Sequence, residues 1–266
     1  RIITMFLKNL FFKNITKQPN ATYNKNSYSR TLHESYIQFA KEILSYDFST
    51  GYATPVYKKV DISCNIDHQL HAINKLIRIL ALDIQNSLIQ DVFLKQEHFK
   101  YTPVFDCYHI YSQKYKFKSK AIIYDLKTPY PFDISQNPTI SSPHKQIRLL
   151  NALGRISSQL DNPFSFQESN HFSSILYAPI NLLILSNGFH SSVAGIYDTN
   201  AIFYPAQICD ISNLYHEIYF DGLSFRYLDS NIEIQCPENK SIGTIFEIGR
   251  LLYERNLSLV SIPSNI

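Results

Sequence analysis

Tryptophan is absent from this chain, methionine occurs once, and glycine only seven times in 266 residues. So few glycines leave no Rossmann glycine run and no P-loop, and neither an HExxH helix nor a nucleophile elbow is present. The four cysteines, Cys64, Cys107, Cys209 and Cys236, form no CxxC pair. They read as reduced thiols of a cytoplasmic protein rather than as a disulfide or zinc framework. No apolar run approaches the roughly 18 residues a spanning helix needs, so no membrane partner is expected. The stretch from Met5 to Asn14 is too short, and too interrupted by Lys and Asn, for a secretory signal.

What is present is a chain 45% apolar, enough to bury a sizeable core. The net charge of +3 is uneven. Residues 1–30 carry Arg1, Lys8, Lys13, Lys17, Lys25 and Arg30 and no acid, so the arm is +6 and the rest sums to −3. A basic arm of this kind either touches nucleic acid or another anionic surface, or serves as a solvated tail. The 19 Tyr and 18 Phe read mostly as core and rim, because no basic pattern accompanies them along the sequence.

Hydrophobic periodicity sets the elements. Thr31-Leu32-His33-Glu34 reads as a capping box opening a helix to about Tyr46. Ile66, Leu70, Ile73, Ile77, Leu80, Ile84 and Leu88 step by three and four, the signature of a long amphipathic helix. Residues 48–60 read as a loop, 100–120 as aromatic-rich and irregular, and 121–126 as a strand. Ser142-Pro143 predicts a helix start, and the helix runs to about Gln159 through Ile147, Leu150, Leu153 and Ile156. Strands are predicted at 174–178 and 182–186, a hairpin about Asp221-Gly222, and a last helix through Ile245 and Leu252. The fold class expected is α+β. A basic arm (1–30) and a mainly helical region (31–160) pack on a small mixed α/β region (161–266).

Asn181 to Ser212 carries the candidate site. An apolar run ends in Ser186-Asn187-Gly188, a short helix follows from His190, and a second apolar run closes on Asp210. A strand, tight turn and helix in that order aim unpaired amides at whatever sits above the turn, which suits a phosphate. His190, near the positive helix end, is expected to be neutral and able to handle a proton or donate a hydrogen bond. Asn187, Gly188, Ser191, Asp210 and Arg250 are the ligand-binding candidates, unless the turn residues simply cap the helix. His171 joins His190 as a catalytic candidate, and Glu247 completes an acid/base or metal set, with Arg250 one turn further on the last helix. Cys64, Asp67, His68 and His71 lack a second ligand pair at finger spacing and are read as ordinary helix residues.

Asn187-Gly188-Phe189-His190-Ser191, Ala194-Gly195-Ile196 and Phe246-Glu247-Ile248-Gly249-Arg250-Leu251 resemble a bacterial family, domain-of-unknown-function family 6710, over about residues 140–255. That resemblance implies no activity. The layout from Asn187 to Ser212 is also similar to the core of the ParB/sulfiredoxin superfamily, in which the turn and helix start hold nucleotide phosphates. Gly188 falls at the turn glycine, Ala194 at the small helix residue, and Pro205 to Asp210 at the return strand. Ser191 falls where that superfamily has arginine, so a positive partner must come from elsewhere, with Arg250 and Arg155 as candidates. Phe189 falls at the reactive cysteine, which removes sulfinic-acid reduction. Two functions follow as expectations. One is a protein that binds nucleotide or nucleic-acid phosphate, with phosphodiester or nucleotide hydrolysis as its catalytic form and a divalent metal as an open cofactor. The other is a non-catalytic module that binds a protein or nucleic-acid partner.

Overall fold

The computed structural model describes residues 25–48, 65–95 and 121–262. The basic arm before residue 25, most of the 48–60 loop, the aromatic 100–120 segment, Cys64 and Cys107 lie outside the described residues.

Helix α1 spans Lys25–Ile43 and begins before the predicted capping box. Thr31 and Ser35 explain the difference. Their hydroxyls donate to the carbonyls of Ser27 and Thr31, four residues back, so they act within the helix rather than at its start. The end of the basic arm is therefore helical, and Arg30 pairs with Asp221 at 3.6 Å. Helix α2, Asn65–Lys95, is the long periodic segment, with Ile73, Ile77, Leu80 and Ile84 buried along one face.

Three short strands follow: β1 (Ile122–Asp125), β2 (Phe132–Asp133) and β3 (Thr139–Ile140). Helix α3 then spans Gln146–Arg155, not 143–159. The chain stays extended through Lys145, because Ser141 and Lys145 are tied to other elements. Ser141 N–H donates to Gln85 Oε1, and Lys145 N–H donates to His190 Nε2. Leu149 and Ala152 are buried, while Ile147, Leu150 and Leu153 are exposed.

The one-turn helix α4 (Glu168–His171) leads into β4 (Ser174–Ala178) and β5 (Leu182–Leu185). Next come α5 (Phe189–Ile196), β6 (Ile202–Phe203) and β7 (Gln207–Asp210). The apolar run 202–208 is thus two strands, broken where Tyr204-Pro205 interrupts it. A hairpin, β8 (Ile218–Phe220) and β9 (Phe225–Tyr227), turns at Asp221-Gly222 as expected, β10 (Glu233–Gln235) adds to it, and α6 (Ser241–Glu254) closes the order.

The central sheet has the order β1-β7-β4-β5-β3. β4 runs antiparallel to β5 and parallel to β7; β3 runs parallel to β5, and β1 antiparallel to β7. Side chains alternate across it with the two-residue period of a strand. Tyr177, Leu182, Ile184 and Cys209 join α1, α2 and α6 in one core, and Leu176, Leu183, Leu185 and Ile208 join Phe132, Phe164, Ile196 and Phe203 in a second. An α+β fold is therefore observed, with one sheet drawing strands from both sides of residue 160.

Candidate anion-binding site

The site is built on the turn between β5 and α5. β5 is buried along its length, so its end is fixed by the core below it. Ser186 N–H donates to Ser173 O, and Ser173 N–H donates to Asn187 Oδ1 at 3.0 Å, which staples the turn to the start of β4. Gly188 caps α5 in the left-handed conformation, φ 65°. A Cβ there would stand 2.1 Å from His171 Cδ2 and 2.6 Å from Asn170 O. Glycine is required twice over, by backbone angle and by contact. The first amides of α5 have no acceptor within their own helix.

His171 is the turn's inner support. It is only 2% exposed, with Phe166 stacked at 5.4 Å and Phe164 and Phe203 around it. Gln167 N–H donates to its Nδ1 at 2.9 Å, so the ring proton sits on Nε2. Nε2 then donates to Ser191 Oγ at 3.0 Å, and Ser191 Oγ donates to Gly188 O. Burial lowers the His171 pKa, so the ring stays neutral. A ring already protonated on Nε2 does not take a proton from Ser191. In this arrangement the ring holds the Ser191 hydroxyl in place.

His190 sits one residue into α5. Its Nε2 accepts Lys145 N–H at 3.2 Å, which leaves the proton on Nδ1. Burial lowers its pKa to about 4, with the charges of His144, Arg148 and Lys145 acting in the same direction. The helix end alone was the expected cause of neutrality; burial is the larger one. A histidine whose folded pKa is below its unfolded value is stabilising while neutral, and that contribution is lost as pH falls. The melting temperature should therefore drop as pH goes from 6.5 toward 4, and His190→Gln should flatten that slope. An unchanged slope in His190→Gln would show that other groups carry the acid sensitivity.

A cleft of about 600 Å³ opens over this turn. Asn187, Gly188, His190, Ser191 and His171 all line it, so the structure brings five of the predicted residues together. Arg148 of α3 and His144, two residues before that helix, also line it. Arg148 is exposed on α3 and was missed from the sequence, where the apolar spacing of 147, 150 and 153 drew attention instead. The cluster His144-Lys145 with Arg148 three residues on was the available signal. None of the sixteen lining residues is Asp or Glu.

Glu247, Arg250 and Asp210 do not line the cleft. Glu247 Oε1 accepts Phe220 N–H, and Arg250 Nε donates to Glu247 Oε2 at 2.7 Å. The pair is 13–15% exposed and binds α6 to the hairpin. Asp210 Oδ1 accepts Ser212 N–H and ends β7. Glu247 therefore forms no set with His171 and His190. Arg250 is committed to the fold, and Arg155, the other proposed positive partner, is not among the lining residues. Among the described residues no group of three His, Cys, Asp or Glu side chains could hold a metal ion.

A family model matches residues 13–259, nearly the whole chain. The chain belongs to DUF6710, a family of unknown function. The DUF6710 match reaches well before residue 140, so α1 and α2 belong to the family's domain together with the sheet. No curated protein and no solved structure matches the chain. No helix among the described residues is long and apolar enough to cross a membrane.

Proposed function

We propose that this DUF6710 protein binds a phosphate-bearing ligand of the nucleotide or nucleic-acid class in the cleft over Gly188–Ser191. The observation that carries the reading is the charge of the cleft. Arg148 and the polar turn residues Asn187, His190 and Ser191 line a space with no carboxylate, a combination that favours an anion and repels none. Arg148 takes the part that the missing turn arginine would have played. The ParB/sulfiredoxin likeness has no support from solved structures, and the proposal stands on cleft chemistry instead.

Binding fits the two histidines better than hydrolysis does. Both already use their basic nitrogen to accept a backbone N–H. For His190 to act as a base it would first have to release Lys145. In the neutral form it is a donor through Nδ1–H, suited to an anionic oxygen. A divalent metal would arrive on the ligand's phosphates, because the cleft offers it no carboxylate. The non-catalytic partner-binding alternative draws on one observation, the exposed Ile147, Leu150 and Leu153 beside the cleft.

The test is calorimetric titration with inorganic phosphate, pyrophosphate, nucleoside phosphates and short oligonucleotides, on wild type and Arg148→Ala. A charge-assisted contact is worth about 1.5–3 kcal/mol, so Arg148→Ala should weaken binding about 10- to 150-fold without lowering the melting temperature. Equal affinity in the variant, or no binding of any of these anions, would overturn the proposal.

A further inference from the structure

A second cleft, of about 620 Å³, lies against the other side of α4. His171 borders both. Gln167 and Asn170 belong to the anion cleft, whereas Phe166, Glu168 and Phe172 belong to the second one. The one-turn helix is thus a ridge with a polar, cationic slope and an aromatic slope. Phe172 is 65% exposed and Tyr204 is 38% exposed, and both line the second cleft with Phe166, Pro129 and Pro205. Phe166 meets the Tyr204 ring edge-on at 5.2 Å and stacks on His171, so this wall is braced from behind. Lys127 and Glu168 are the charged residues of the lining.

Exposed aromatic rings are costly to keep in water and are suited to flat partners. We propose that the aromatic cleft is a nucleobase-stacking subsite, and that the ligand is a single strand of nucleic acid laid across α4. This inference rests on the phosphate reading of the first cleft and names its substrate class. Stacking platforms beside a cationic groove are the usual means of holding single strands, since every base offers a π face. Glu168 makes the second cleft a poor place for a phosphate and a good acceptor for a base amino group. A helix with its side chains is about 10–12 Å across. That is wider than the gap between a base and its own phosphate, so phosphate and stacked base come from neighbouring nucleotides. A mononucleotide fills one slope only.

The full chain is titrated with inorganic phosphate, a nucleoside monophosphate, and short single strands in deoxyribose and ribose form, with a duplex of the same sequence. Wild type is compared with Phe172→Ala and Tyr204→Ala. Both side chains are exposed, and unchanged melting temperatures will show that folding is intact. The single strand should bind at least about tenfold tighter than the monophosphate, and the duplex more weakly than the strand, because its bases are already stacked. Base–aromatic stacking is worth about 1–3 kcal/mol, so each variant should lose about 5- to 150-fold for the strand and nothing for the monophosphate. The deoxyribose and ribose arms show which strand it is. If phosphate and monophosphate bind through Arg148 but the aromatic variants hold the strand as wild type does, this inference falls and the phosphate reading stands. A duplex bound as tightly as the strand has the same consequence. If no phosphate binds, both fall.

Discussion

Gly188→Ala is expected to cost about 2–5 kcal/mol of stability and to abolish anion binding in whatever protein remains folded. Two terms add. A side chain at φ 65° pays about 1–2 kcal/mol for the left-handed backbone. Overpacking adds about 1–3 kcal/mol, because neither contacted group can yield. Asn170 O is backbone, and His171 is enclosed by Phe164, Phe166 and Phe203. Any movement of His171 breaks its hydrogen bond to Ser191 and with it the geometry of the turn. Gly188→Asn separates the two terms, since asparagine tolerates the left-handed region but keeps the clash. If contact dominates, asparagine is no better than alanine. Gly154→Ala on α3 is the internal control: a Cβ there meets nothing within 4 Å, and the change should be neutral or stabilising. Denaturant unfolding of the three variants measures this. A Gly188→Ala protein as stable as wild type would mean that the turn is not held as described.

How far the sequence discloses the fold depends on how local each signal is. The step-of-three-and-four pattern from Ile66 to Leu88 marks α2, and an apolar run ending in a glycine turn marks β5, Gly188 and α5, because one face or one backbone angle decides each. Asp221-Gly222 is equally local. The failures are long-range. α3 carries two apolar faces, and the one that the rest of the fold covers is that of Leu149 and Ala152. The residues at 147, 150 and 153 look like a core stripe and are exposed. In α1 the capping-box residues lie inside the helix, where hydroxyls can bond backwards as well as forwards.

The site divides in the same way. The turn residues and His171 are near in sequence to elements that place them, and they meet. Arg148 reaches the cleft because α3 packs beside α5, which no spacing rule contains. Glu247 and Arg250 carry the right chemistry for a site, yet their partners are the carbonyls of Tyr215 and Ile218 and the amide of Phe220, some 30 residues away in sequence. Perturbed or buried charge marks structural networks as readily as active sites, and only the location of the cleft distinguishes the two here.

The two arginines should accordingly fail in opposite ways. Arg250 donates to Tyr215 O and Ile218 O and, in a fork, to both oxygens of Glu247, while its guanidinium lies 5.4 Å from the Tyr215 ring centre and 5.7 Å from that of Phe246. Glu247 in turn holds Phe220 N–H. Arg250→Ala strands a carboxylate that is only 13% exposed together with two carbonyls, and removal of one partner from such a pair costs about 3–5 kcal/mol. Arg250→Lys should recover little, since an ammonium cannot serve four acceptors spread across a planar fork. The double change Arg250→Met with Glu247→Gln should recover more, because it removes the stranded charge. In all three variants, ligand affinity per folded molecule should stay at the wild-type value. Arg148→Ala should show the reverse, with full stability and weak binding. Thermal denaturation and titration on the same preparations give both readouts. Loss of affinity in Arg250→Ala beyond its unfolded fraction would place Arg250 in the ligand site and require the cleft to extend to α6.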